Sequence, residues 1–152
     1  MIAEPLVIEF EVAVAPAHAF QAWTGRCGAW WPASHTISGD PSAITFEPRS
    51  GGRIVEHTRD GTEHDWGTVL DWQPPTRLRY LWHLFFDASE ATEVELTFSP
   101  LERGTAVRLS QTGWDRLGDA GVKRRAKTER AWSDLTAAFT HACATTDLGR
   151  AT

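Results

Sequence analysis

The first segment with a clear pattern alternates. Leu6, Ile8, Phe10, Val12 and Val14 share one face of an extended chain while Glu9 and Glu11 take the other, the period-two signature of a half-buried strand. Ala15-Pro16 ends it. Proline suits the first turn of a helix, and Phe20 and Trp23, three apart, share one face of a short helix that Thr24-Gly25 closes. Cys27 to Trp31 predicts a second short helical piece before Pro32.

Short strands with turn punctuation follow. Ala43 to Glu47 is bounded by Pro48-Arg49-Ser50-Gly51-Gly52, Arg53 to Thr58 by Arg59-Asp60-Gly61-Thr62, and His64 to Trp72 by Gln73-Pro74-Pro75-Thr76. Arg77 to Phe86, Glu93 to Ser99 and Thr105 to Trp114 continue the series, the last two joined as a hairpin through Pro100 to Gly104. With the first strand this makes roughly seven, connected closely enough to be antiparallel neighbours. The period then changes. At ~100° per residue, Thr128, Trp132, Leu135, Phe139, Ala142 and Cys143 fall on one side of a helix and Arg130, Asp134 and His141 on the other. This long amphipathic helix is expected to begin near Gly118-Asp119-Ala120-Gly121 and to end at Leu148-Gly149.

Composition narrows the class. The 152 residues, 41% hydrophobic and 23% charged, predict one ordinary globular domain over 1–152. A net charge of −5 argues against nucleic acid or an anionic membrane as the main partner. The one basic cluster, Lys123-Arg124-Arg125 with Lys127 and Arg130, is short and interrupted by acids. No stretch approaches the ~18 apolar residues of a membrane span, and Met1-Ile2-Ala3-Glu4 does not open a signal peptide, so a cytoplasmic location is expected. Cys27 and Cys143 suggest neither a disulfide framework nor a zinc motif. Cys143 reads as a small core residue, whereas Cys27, in a Gly-flanked loop, is a candidate for exposure.

The aromatic load adds a candidate chemistry. Eight Trp stand against a single Tyr, six of them at Trp23, Trp30, Trp31, Trp66, Trp72 and Trp82. Large rigid indoles on a strand-rich frame suggest an aromatic-walled cavity, with a well-filled core as the alternative.

The element order, strand, two short helices, six strands and a long C-terminal helix, is that of an α+β helix-grip fold, a curved antiparallel sheet wrapped round the last helix. Particular stretches then carry a family resemblance: residues 14–24 from Val14-Ala15-Pro16 to Trp23-Thr24, Trp30-Trp31, Phe46-Glu47-Pro48-Arg49-Ser50-Gly51-Gly52-Arg53, Trp66-Gly67, Pro74-Pro75-Thr76-Arg77-Leu78, Tyr80-Leu81-Trp82 and Gly104-Thr105-Ala106-Val107. In order and spacing the chain resembles the SRPBCC superfamily of START-like and birch-pollen-allergen-like proteins. Within it, the chain is similar to the group related to the C-terminal domain of the heat-shock protein 90 ATPase activator. The resemblance implies the helix-grip fold and its cavity. It does not fix a function, because the superfamily holds lipid carriers, ligand binders, cyclase-like enzymes and chaperone cofactors.

Alternation, helped by the family pattern, nominates the cavity residues. Ile54, Glu56 and Thr58 are expected inward on their strand, with Val55 and His57 outward; Leu78, Tyr80 and Trp82 inward on theirs; and Val107, Leu109 and Gln111 inward on the last. Glu56 is then an acid in an apolar tunnel, its pKa raised by desolvation unless an Arg, a His or a ligand pairs with it. Gln111 is expected to reach toward it. Trp31 and His35 are placed at the cavity mouth, and Trp132 faces the cavity from the helix. A bulge at His64-Asp65-Trp66-Gly67 could reverse the faces there.

The ligand-binding set is therefore Trp31, His35, Ile54, Glu56, Tyr80, Trp82, Gln111 and Trp132, with Glu56 and His35 as candidate catalytic residues. No H-x-H, H-E-x-x-H, phosphate loop or nucleophile elbow occurs, so no metal and no cofactor is assigned. The leading expectation is a module that binds a small apolar or amphipathic molecule. A cyclase- or dehydratase-like enzyme using Glu56 or His35 in proton transfer is the alternative, and a chaperone- or client-interacting domain a third with no residue pattern behind it. The expected partner is the small molecule, with a homodimer as a further option.

Overall fold

The computed structural model describes residues 4–145. Strand β1 (Leu6–Val12) leads into helices α1 (Pro16–Trp23) and α2 (Cys27–Trp30). Strands β2 (Pro41–Phe46), β3 (Arg53–Thr58), β4 (Glu63–Gln73), β5 (Arg77–Trp82), β6 (Thr92–Leu101) and β7 (Gly104–Thr112) follow, and helix α3 (Asp119–Ala144) comes last. All seven strands form one antiparallel sheet in the order β1-β7-β6-β5-β4-β3-β2. Strands β2 to β7 are a meander, and β1 closes on β7, so one end of the sheet joins the first strand to the last. Register shifts within β2, β3 and β4 bend the sheet around α3. This is the helix-grip architecture expected from the element order.

The local signals act as anticipated. Pro16 opens α1, and Thr24 closes it by donating both its backbone N–H and its hydroxyl to the Phe20 carbonyl. The Trp30 indole donates to the Ala22 carbonyl at 2.8 Å and ties α2 to α1. Leu6, Ile8, Phe10 and Val12 face the core or its margin. On α3, Trp132, Leu135, Phe139 and Cys143 are buried, with Arg124 and Thr136 beside them. Among the described residues no helix is long and apolar enough to cross a membrane.

Four expectations are corrected. The strand from Arg77 stops at Trp82 instead of Phe86, because Phe85 takes a left-handed φ of 71° and Phe86 N–H turns back to the His83 carbonyl. The strand from Gly104 stops at Thr112, where Gly113, at φ 100°, directs the chain into a turn of 3₁₀ helix at Trp114–Leu117. Helix α3 ends at Ala144, ahead of the expected Leu148-Gly149 stop, which lies outside the described residues. Cys27 is fully buried at the start of α2, and burial pushes its thiol pKa well above the ordinary value, so it remains an inert thiol. Both cysteines are free.

The suspected bulge is real. Ile54 pairs with Gly67 and Val55 with Asp65, so Trp66 is the extra residue on β4. That insertion turns the Trp66 indole into the core, where it is fully buried. Gly67 makes the close strand approach possible, since a Cβ there would lie 1.9 Å from the Leu81 carbonyl oxygen.

Candidate functional site

Strand parity is right where the ladders are regular. Leu78, Tyr80 and Trp82 on β5 and Val107, Leu109 and Gln111 on β7 are all buried. On β3, Ile54 and Glu56 are buried as expected, but Val55, expected outward, is buried too, and Thr58 is only half-buried.

The indoles meet in one continuous layer. Trp23 stacks on Trp132 at 5.9 Å and Trp132 on Trp82 at 6.3 Å. Trp31 meets Trp30, Trp66 and Trp82 at 5.3, 5.2 and 5.8 Å, and Phe139 seals the far side against Trp23 at 5.0 Å. Much of the tryptophan content is thus core filling, the alternative the composition left open.

At one edge the layer, though buried, borders an opening. Trp31, Trp82 and Trp132 form the floor of an open pocket of about 220 Å³. Leu84, Phe85 and Phe86 from the β5–β6 connection make one wall, and α3 makes the other with Arg124, Lys127, Thr128, Ala131 and Leu135; His35 stands at the rim. Phe85 is mostly exposed and Phe86 partly so. Four of the eight nominated binding residues, Trp31, His35, Trp82 and Trp132, therefore meet at one opening. Ile54, Glu56, Tyr80 and Gln111 lie outside its lining.

Polar contacts fix the floor. The Trp31 indole donates to the His35 carbonyl at 3.0 Å, linking the two mouth residues. The Trp132 indole donates to Gln111 Oε1 at 2.7 Å, and Gln111 Nε2 donates to Thr92 Oγ1 at 2.8 Å. Contrary to the expectation from parity, Gln111 does not bond Glu56; it positions Trp132, and both ends of its amide are used. His35 Nε2 lies 3.9 Å from Asp134 Oδ2.

Glu56 has a different setting from the one its sequence context suggests. Oε1 accepts from Ile37 N–H at 2.8 Å and Trp66 Nε1 at 3.1 Å; Oε2 accepts from Ser38 N–H at 2.8 Å and, through a short contact, from the Ser38 hydroxyl. Burial alone would raise its pKa, but these four donors together outweigh desolvation and hold it below the usual carboxylate value. The expected upward shift is thus reversed, and no Arg or His is needed. The carboxylate clamps the 36–38 segment onto β3.

Tyr80 lies under the indole layer, edge-on to Phe46 and Trp82. Its hydroxyl is pushed to a high pKa by burial, with the Trp23 indole opposing that shift.

Arg124 is the residue the sequence reading passed over. It belongs to the short basic cluster, yet it is buried, donating from Nη1 to the Glu90 carbonyl at 2.5 Å and from Nη2 to the Trp82 carbonyl at 3.4 Å, with its guanidinium 3.8 Å from the Phe86 ring centroid. Helical spacing held the signal: 124, 128, 131, 132 and 135 form one stripe with the buried face. The aromatic wall of Phe85 and Phe86 had no such signal, because it depends on a left-handed turn.

The family of activator of Hsp90 ATPase homolog 1-like proteins matches the chain over residues 13–141. Among solved structures, the anthrahydroquino-gamma-pyrone synthase Txn09 is 34% identical, covering 82% of this chain and 86% of its own at a TM-score of 0.60. The solution structure of the Aha1 dimer from Colwellia psychrerythraea is 18% identical, with 98% and 100% coverage and a TM-score of 0.68. The protein MLL2253 from Mesorhizobium loti is 20% identical, with 91% and 95% coverage and a TM-score of 0.67. No curated protein matches the chain.

Proposed function

The chain belongs to the family of activator of Hsp90 ATPase homolog 1-like proteins, and we propose that it binds a small, flat, largely apolar molecule in the pocket over Trp31, Trp82 and Trp132. One observation carries this reading. Three mutually packed, rigid indoles, two of them held by hydrogen bonds to His35 and Gln111, border an opening whose other walls are mostly apolar, with Phe85 and Phe86 exposed beside it. Such a surface offers area and stacking geometry at little cost in side-chain ordering. The two buried free cysteines accord with a cytoplasmic setting.

Titration with an apolar aromatic dye should quench tryptophan emission and raise the melting temperature, since ligand at 100 times its Kd stabilises by about 2.7 kcal/mol. Trp82→Ala removes one floor ring and should weaken the dye by at least about tenfold, as expected for a central aromatic anchor. An unchanged melting temperature and emission across a varied aromatic panel would remove the binding reading.

A chemical step on the bound molecule is a second reading, favoured by the His35–Asp134 pair at the rim and by the likeness to a synthase at 34% identity. Here His35 is the proton-transfer group, with Asp134 able to orient its imidazole. Glu56, the other catalytic candidate, is engaged in four hydrogen bonds away from the pocket, which leaves that role to His35. Offered the substrate of that synthase, the protein should show turnover that His35→Gln lowers by about 100-fold or more while ligand affinity is kept. Turnover unaffected by the substitution would remove His35 from the chemistry.

A further inference from the structure

The charge of the pocket is opposite to that of the chain. The protein carries a net charge of −5, yet among the described residues no carboxylate lines the opening, whose titratable groups are Arg124, Lys127 and His35. Arg124 and Lys127 are three residues apart on α3 and so share a helix face, the one that walls the indoles.

Arg124 is 7% exposed. The groups that hold it are neutral: the carbonyls of Glu90 and Trp82 and the ring of Phe86. The Glu90 carboxylate favours its charge from a distance, but burial outweighs that attraction and lowers the guanidinium pKa. A buried cation held only by dipoles and a ring still has a favourable place for an anion beside it. Lys127, exposed at the edge, can reach the same anion from the solvent side. The acid facing the rim, Asp134, is directed at His35, and its side chain is largely in solvent.

Resting on the reading of this pocket as a site for flat apolar molecules, we propose that its occupant is an acid: an aromatic ring system bearing a carboxylate or ionised hydroxyl, its rings between the edges of the indole layer and the Phe85–Phe86 wall and its anion between Lys127 and Arg124. The volume of about 220 Å³ corresponds to about seven liquid-water volumes, which limits the occupant to a compact molecule, and the aromatic lining favours rings.

The test uses probes of one shape and different charge: 2-naphthoate, 2-naphthamide and 2-naphthylmethylammonium, titrated into the full chain by calorimetry at pH 7.5 and low salt. Naphthoate should bind about tenfold more tightly than the amide, as a charge-assisted hydrogen bond allows, with the ammonium weakest. Lys127→Gln should remove most of that advantage while leaving the amide affinity unchanged, and added salt should shrink it in the parent protein. Lys127 is exposed, so this variant tests the anion site without disturbing the core. Equal affinities for naphthoate and amide would overturn the acid while sparing the pocket, and an advantage that survives Lys127→Gln in full would overturn the placement of the anion beside Lys127. Octanoate binding as tightly as naphthoate would overturn the aromatic part. No binding by any naphthalene probe would overturn the proposal together with the reading on which it rests.

Discussion

Phe139→Ala is expected to cost roughly 3–5 kcal/mol of stability, the range for truncating a large aromatic in a packed core. Phe139 is fully buried, and its ring meets Phe10 of β1 at 6.2 Å, Trp23 of α1 at 5.0 Å and Trp30 of α2 at 5.0 Å. It therefore joins α3 to three other elements at once. These neighbours are large, rigid and themselves constrained by other rings, so they cannot collapse readily into the space left behind, and the cavity contribution should be near its upper range. Urea melts at pH 7 should show a lower midpoint with an unchanged slope. A loss below ~1 kcal/mol would mean that α3 is not gripped by the sheet through this residue.

The same contact shows what the sequence could disclose. Phe139 and Trp132 were readable as core because a helix of 26 residues repeats its buried face at fixed intervals. Likewise Leu78, Tyr80 and Trp82, or Val107, Leu109 and Gln111, could be placed by alternation because β5 and β7 each pair with β6 without a break over those residues. Periodicity stops informing where the backbone stops being periodic. Phe85 and Phe86 looked like strand residues and became a pocket wall because one residue adopts a left-handed conformation. Trp66 reaches the core through a bulge whose position depends on the partner strand. Arg124 lies on a readable helical face, but its charge argued for solvent, and only the carbonyls of Glu90 and Trp82, far off in sequence, make its burial acceptable.

Glu56 makes the point most sharply, because its inward direction was correct and its chemistry was not. Strand parity could place the carboxylate in the interior, but could not show that the 36–38 segment aims two backbone N–H groups and a hydroxyl at it while the bulged Trp66 adds a fourth donor. Glu56→Gln should consequently be destabilising at neutral pH by about 2–4 kcal/mol, since an amide loses the charge-assisted bonds and turns its own NH₂ toward donors that then lack an acceptor. The pH dependence has a definite sign. The folded-state pKa is depressed relative to the ordinary 4.5, so the stabilisation is fully present above the unfolded-state value and is lost as pH falls toward and through the lower folded value. The gap between parent and Glu56→Gln in urea melts should thus be wide at pH 7 and narrow progressively below about pH 4.5 as the parent's carboxylate gains its proton. The comparison cancels the other acid-sensitive carboxylates, Asp60 and Asp87, which are common to both proteins. A gap that stays constant with pH would show that shape and not charge holds the 36–38 segment, and one that widens in acid would mean that the carboxyl is protonated at neutral pH, restoring it as a candidate proton donor.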